Sequence, residues 1–388
     1  METKKNILIV AGEASGDLHA AELVASLRAR DSRLSFWGMG GQRLKNQGVS
    51  VSCDLTKLAV VGFWEVLRHL TTFRRVFAEI LRKADEKKPD LAILVDYPGF
   101  NLRLAQQLHR RGIPIAYYIS PQIWAWGKNR VRLIKQTVSR MLVLFAFEEE
   151  LYRAAAVPVA WVGHPLLDVV KPRRVREEFL RQVKLDPVKL TVALLPGSRE
   201  REVRSLLPVL LESCRILNQY FLGRIQFVLL AAETLAPETL APARLASDLP
   251  LAVVSDATYD GIAASDFCLV CSGTATLETG ILGVPMAVVY KVNFLTWALV
   301  RVSIRIPYIG LINVVHGKKV VEEFVQFDCT PEKICDYCLP LLQDADKRAR
   351  IQRELSATRK LLGESGASGR AASVILKMLS EKKNAGSK

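Results

Sequence analysis

The sequence predicts an α/β protein built from two successive doubly wound parallel sheets, and three observations predict it. Short apolar runs alternate with helix-period segments almost throughout the 388 residues, the pattern of parallel strands joined by crossover helices. The alternation breaks once, in VAWVGHPLLDVVKPRRVREEFL, where prolines and a charge cluster mark a linker. The length also exceeds what one hydrophobic core usually serves.

Before the break, the strand candidates in chain order are ILIVAG, LSFWGMGG, LAILVDY, IAYYIS and MLVLFAF, with helices such as DLHAAELVASLRAR between them. After it come LTVALLPGS, IQFVLLAA, LAVVS, DFCLVCSGT and PMAVVY. The expected domains are 1–168, 169–344 and a C-terminal region 345–388. In that region a long helix from about Ala345 to Leu379 is expected to cross back toward the first domain, ahead of the polar tail SEKKNAGSK.

Half the residues are hydrophobic and 24% charged, an ordinary globular composition. No apolar run approaches the length of a membrane-spanning helix. METKKNILIVAG places lysines ahead of an apolar run, as a leader would, but Glu13 and Asp17 end it early. A first buried strand is expected instead, in a cytoplasmic protein. The seven cysteines are odd in number and lack disulfide-framework spacing. The pairs Cys268/Cys271 and Cys335/Cys338 lie in strand-like and helix-like runs without the glycines or histidines of a zinc site, so buried thiols and no metal are expected. The net charge of +15 implies an anionic partner: nucleic acid, an acidic lipid surface or a phosphorylated substrate. The basic residues are dispersed and no nucleic-acid-binding motif accompanies them. Charge alone does not choose among the three.

In doubly wound sheets ligands bind beyond the carboxyl ends of strands, where glycine-rich turns let helix N-termini meet anions. Four turns have this character. AGEASGD is neither a dinucleotide fingerprint nor a P-loop. Gly12 and Gly16 allow close backbone approach, Ser15 or Asp17 can cap the following helix, and Glu13 stands at the tip without an evident structural task. In DYPGFN, Asp96 ends a central strand, where a carboxylate serves as a general base or as a cap. In PGSRERE, Gly197 and Ser198 make the turn and Arg199 can fork onto a diphosphate. In SGTATLE, Ser272, Gly273 and Thr274 open a helix whose N–H groups suit a phosphate. Glu278, one turn in, can accept from two ribose hydroxyls or simply complement the helix dipole. A fifth segment, VVGFWEVLRHLTTFRRVFAEILRK, places Val60, Val61, Phe63, Trp64, Leu67, Leu70 and Phe73 among basic residues. It reads either as a core helix with a basic outer face or as a membrane-contact surface.

In this order AGEASGD, GMGG, SPQIWAWGKNR, VGHPLLD, LLPGSRERE and SGTATLETGILGVP closely resemble the lipid-A-disaccharide synthase family, over nearly the whole chain through INVVHGKKVVEEFVQ. SPQIWAWG and AGEASGD carry most of the specificity; the Gly-Thr-x-Thr-x-Glu turn occurs in many nucleotide-sugar enzymes. The resemblance implies a GT-B-type glycosyltransferase with two Rossmann-like domains facing a central cleft. It implies transfer from UDP-2,3-diacylglucosamine to 2,3-diacylglucosamine 1-phosphate, giving a β-1,6-linked disaccharide phosphate and UDP. The family's reaction inverts the anomeric centre and uses no metal or other cofactor, at the cytoplasmic face of the inner membrane of Gram-negative bacteria. Asp96 matches the family's proposed base, with Glu13 as a supporting acid, and Glu278 matches the ribose-binding acid. Asn313 matches an asparagine important for activity. Acyl chains on both substrates favour 60–73 as a membrane-contact surface, with no nucleic acid as partner; a homodimer is left open. The competing readings are a nucleotide-sugar epimerase of the same fold and a non-enzymatic basic protein that binds RNA or membranes.

Overall fold

The computed structural model describes residues 4–54, 70–124, 129–292 and 307–385. The chain forms two compact units, Met1–Pro165 with Gly363–Lys388, and Leu166–Leu362.

The first unit is built on a seven-stranded sheet of β1 (Lys5–Ala11), β2 (Leu34–Met39), β3 (Ser50–Cys53), β4 (Leu91–Val95), β5 (Ile115–Tyr118), β6 (Arg140–Val143) and β7 (Val159–Trp161). Their order is β3-β2-β1-β4-β5-β6-β7, with every neighbouring pair parallel. The inner strands are continuous apolar runs because helices cover both faces; Ile7 to Ala11 and Ala92 to Val95 are fully buried. The Ala14–Arg30 helix turns Ala20, Leu23, Val24 and Leu27 inward at helical spacing.

The second unit carries β8 (Leu190–Leu195), β9 (Ile225–Ala231), β10 (Leu251–Ser255), β11 (Phe267–Cys271), β12 (Met286–Tyr290) and β13 (Glu322–Val325), ordered β10-β9-β8-β11-β12-β13 and again all parallel. The Glu200–Tyr220 helix buries Leu206, Leu207, Leu210, Cys214 and Leu217 in its core. None of the seven cysteines is bridged, and all but Cys53 are buried. Two arginines of the basic linker are absorbed structurally: Arg174 pairs with the buried Asp260 at 2.8 Å and Arg176 with Asp266 at 3.1 Å.

The strands that the apolar pattern does not announce are β3, β7 and β13, each at a sheet edge. Edge strands pair on one side only and can be short and half-solvated, so they need no continuous apolar run. The C-terminal region differs from the single long helix expected. It is three helices, Ala345–Leu355, Thr358–Leu362 and Ala367–Ala385. The last break falls at Gly363 to Gly366, where the two glycines have φ of +95° and +90°. The final helix belongs to the first unit: Ala367, Ala371, Ala372 and Ile375 are buried, Arg30 bonds Gly369 O and Ser373 Oγ, and Arg370 Nε donates to Val162 O at 2.8 Å.

Candidate active site at two strand-order reversals

In each sheet the chain runs outward from a central strand and then returns to that strand's other side. The reversal falls between β1 and β4 in the first unit and between β8 and β11 in the second. Ligands of open α/β sheets bind beyond the carboxyl ends of the strands at such reversals. All four singled-out turns leave one of these four strands.

After β1 come Gly12 and Glu13; after β4 come Asp96 and Tyr97. Asp96 and Tyr97 both take left-handed backbone conformations, with φ of 47° and 50°. Such strain, about 1 kcal/mol or more per residue, persists only where neighbours enforce it. Here Asp96 N–H donates to Tyr118 O at 2.9 Å. Asp96 O accepts from Tyr117 OH at 2.7 Å and from Asn101 Nδ2 at 2.8 Å. Asn101 Nδ2 also bonds Val95 O, and the residue is fully buried. Burial first, then the charge of Glu13, pushes the Asp96 carboxyl up to about 6, against the opposing Tyr97 N–H and His19. Gly12 is required by Tyr97, since a Cβ there would lie 2.2 Å from Tyr97 Cδ1. Glu13 and Ser15 are exposed, whereas Gly16 is buried, and a Cβ there would lie 3.8 Å from Val95 O. Asp17 does not cap its own helix. It is buried and accepts from Gly41 N–H at 2.7 Å and Arg43 N–H at 3.0 Å, capping the Gln42–Asn46 helix and so tying AGEASGD to GMGG.

After β8, Ser198 and Arg199 are exposed and Gly197 has a φ of 112°. Arg199 is the N-cap of the Glu200–Tyr220 helix, whose N-terminus has no side-chain cap. Its guanidinium meets Glu202 at 3.1 Å in an exposed pair, an interaction worth about 0–1 kcal/mol and easily exchanged for a ligand. After β11, Ser272 Oγ donates to Ile309 O at 2.9 Å. Gly273, with a φ of 152°, is the N-cap of the Thr274–Ile281 helix, again without a side-chain cap. A Cβ on Gly273 would meet nothing within 4 Å, so space opens above this N-terminus beside the exposed Thr274. Two helix N-termini with donors left over thus begin at adjacent central strands, the arrangement that receives anions. Glu278 is partly buried and accepts from Tyr259 OH at 3.4 Å; burial raises its carboxyl while Tyr259 opposes the rise.

Asn313 requires a correction, because the geometry leaves it no free group for catalysis. It is fully buried in the Leu311–His316 helix; Nδ2 donates to Val321 O and Glu323 Oε1, and Oδ1 accepts from the N–H groups of Val320 and Val321. Glu323 also accepts from Ile309 and Gly310 N–H, and Ile309 O holds Ser272. Asn313 therefore supports the Ser272–Gly273 turn from behind. Of the residues expected at a membrane, Val60, Val61, Phe63, Trp64 and Leu67 lie outside the described residues. Leu70 begins the Leu70–Lys87 helix, and Phe73 packs against the core beside Phe77 rather than standing clear of it. The apolar stripe that includes Phe73 continues through Val76 and Ile80, both buried, while Arg74 and Arg75 are exposed. Sequence reasoning missed Asn101, Tyr117, Tyr259 and Glu323. Only Asn101, inside DYPGFN, offered a local signal. Among the described residues no group of three or more His, Cys, Asp or Glu side chains is placed to hold a metal.

Two all-parallel sheets in separate units, each with uncapped helix N-termini and carboxylates at its reversal, define a two-domain α/β protein of the GT-B type. Solved structures share this fold. A UDP-GlcNAc 2-epimerase from Neisseria meningitidis bound to UDP-GlcNAc matches with a TM-score of 0.61 at 13% identity, over 97% of this chain and all of that one. The glycotransferase of kitacinnamycin matches with a TM-score of 0.57 at 16% identity, over 97% of this chain and all of that one. At such identities the likeness shows the fold alone. The family is decided by sequence. The model for Lipid-A-disaccharide synthetase matches residues 7–378. The lipid-A-disaccharide synthase of Syntrophus aciditrophicus is 46% identical over 376 residues, covering 97% of this chain and 98% of the relative. The chain belongs to the lipid-A-disaccharide synthase family. It is a glycosyltransferase that forms the lipid A disaccharide, and the epimerase and non-enzymatic readings are not favoured.

Proposed function

We propose that the chain transfers 2,3-diacylglucosamine from its UDP conjugate to the 6-hydroxyl of 2,3-diacylglucosamine 1-phosphate, with inversion, and that Asp96 is the base. The observation that carries this is the Asp96 turn: a carboxyl at the end of a central strand, held in a strained conformation and pushed up to about 6. A base of that strength is ionised at neutral pH yet still draws a proton effectively as the acceptor oxygen attacks. A single displacement needs one base on the face opposite the leaving group, as inverting glycosidases do. Glu13 supports it by raising the basicity of Asp96. UDP is held by the second unit. The backbone N–H groups at Ser198–Glu200 and Gly273–Thr274, together with Arg199, receive the diphosphate, and their fixed donors take up the charge that develops on the leaving oxygen. Glu278 receives the ribose hydroxyls.

Among the described residues no helix is long and apolar enough to cross a membrane. Acylated substrates nevertheless require access to a lipid surface. Residues 60–70 are proposed to meet the inner-membrane face, with the +15 charge attracting acidic lipid. Incubating the protein with both diacylglucosamine substrates, with and without EDTA, tests the reading: disaccharide phosphate and UDP should appear at equal rates in both. UDP-sugar isomerisation without acceptor, or dependence on a chelatable metal, would contradict it.

A further inference from the structure

SPQIWAWGKNR carries much of the family likeness, yet the reaction as described assigns it no task. Its first residues, Ser120 to Trp124, leave β5 beside the Asp96 turn and are held by one helix, Ala146–Ala154. Trp124 Nε1 donates to Glu148 Oε1 at 3.3 Å, and the indole meets Phe147 edge-on at 5.8 Å. Ser120 Oγ and Tyr152 OH share a hydrogen bond of 2.9 Å. Phe145 stacks on Phe147 and lies against His164, closing the cluster from the β7 side. Glu148 is only 3% exposed, and among the described residues it has no ion-pair partner. The groups that bond it are neutral (the Trp124 indole, the Ser120 hydroxyl and the backbone of Phe145 and Leu144), and each favours the ionised form, but burial opposes them and is the larger effect. With no cation beside it among the described residues, an acid this deeply buried is less costly protonated than ionised.

We infer that Glu148 is a positioning residue working as the uncharged acid, clamping Trp124 and Ser120 so that the loop leaving β5 keeps the Asp96 turn in shape. This rests on the reading of Asp96 as base. The link is short. Tyr117 and Tyr118, just before Ser120, supply the OH and the carbonyl that hold the Asp96 backbone. A loop displaced at Trp124 pulls on those two bonds.

Burial pushes Glu148 up to about 8, so it stays protonated at neutral pH and ionises just above it. Tyr152 and His164 beside it stay neutral over that range. Burial raises Tyr152, and burial with the neighbouring His19 charge lowers His164 to about 3. Glu149 turns away, toward Arg153 and the Trp161 N–H.

The test is the pH dependence of kcat and KM for disaccharide formation in wild type, Glu148→Gln, Glu148→Ala and Trp124→Phe, with Asp96→Asn as control. Wild-type kcat should fall above pH 8 as Glu148 ionises. Glu148→Gln, which stays neutral and still accepts from the indole, should hold turnover within about threefold at pH 7 and remove that fall. Glu148→Ala should lose about tenfold or more in kcat with KM less affected, and the double variant Glu148→Ala with Trp124→Phe should lose little more. An alkaline fall unchanged in Glu148→Gln, or equal losses in Glu148→Gln and Glu148→Ala, overturns the inference. If Glu148→Ala fails to fold, the Glu148→Gln profile decides alone. Turnover retained by Asp96→Asn would instead refute the base assignment beneath it.

Discussion

Replacing Asp96 by asparagine should make the protein inactive and more stable at once. Folding raises this carboxyl from 3.8 to about 6, chiefly by burial and then by Glu13. Between those values the native state keeps a proton that the unfolded chain has released, so stability falls as pH rises through that window and stays lower above it. The gap corresponds to about 3 kcal/mol at about 1.4 kcal/mol per pH unit. Partial solvent contact reduces the recoverable part to about 2 kcal/mol. Asparagine removes the charge, tolerates the left-handed conformation as aspartate does, and leaves the backbone bonds to Tyr117, Tyr118 and Asn101 in place. Denaturant unfolding at pH 7.5 should therefore show Asp96→Asn about 2 kcal/mol more stable than wild type, the difference vanishing near pH 4. Disaccharide formation should drop by about a hundredfold or more, with UDP affinity nearly unchanged. A variant no more stable at pH 7.5, or one within tenfold of wild-type turnover, would show that Asp96 is not a strained, buried base.

Glu13→Gln should shift the acid limb of kcat/KM below about 6 without returning it to 3.8, because burial is the larger cause of the raised value; an unmoved limb would remove Glu13 from the site. Glu278→Ala should weaken UDP binding in calorimetry while the Asp96-dependent chemistry persists, and unchanged UDP affinity would count against a ribose contact. Asn313→Ala leaves Glu323 and three backbone groups short of partners and should cost about 3 kcal/mol of stability; full stability with lost turnover would restore a direct catalytic role. Serine at both Phe63 and Trp64 should reduce sedimentation with anionic vesicles, and unchanged sedimentation would show that this pair does not meet lipid.

Ten of the thirteen strands among the described residues and the two-unit plan were legible in the sequence, because a strand buried on both faces, as most of these are, must be apolar throughout. Those strands also carried Gly12, Asp96, Arg199 and Ser272 with them, since a turn's place at a strand's carboxyl end follows once the strand is known. What the local pattern could not reveal depends on residues far apart in the chain. The edge strands β3, β7 and β13 exist because a neighbour offers hydrogen bonds, not because their own residues demand burial. Asp17 reads as a cap for its own helix and caps another, a choice made by packing across 24 residues. Asn313, which the family resemblance marks as important for activity without assigning it a role, is a saturated strut. The apolar stripe through Phe73, Val76 and Ile80 fits a membrane or a core equally well on paper, and in the structure Phe73 packs, partly buried, against the core.

Sequence alone determined that this protein has two parallel-sheet units and which glycine-bearing turns end their strands, because burial and turn geometry are written in local residue types. Only the tertiary structure decided the strand order that sets the reversals between β1 and β4 and between β8 and β11. It alone also decided the raised proton affinity of Asp96, which depends first on how deeply the neighbouring chain buries it.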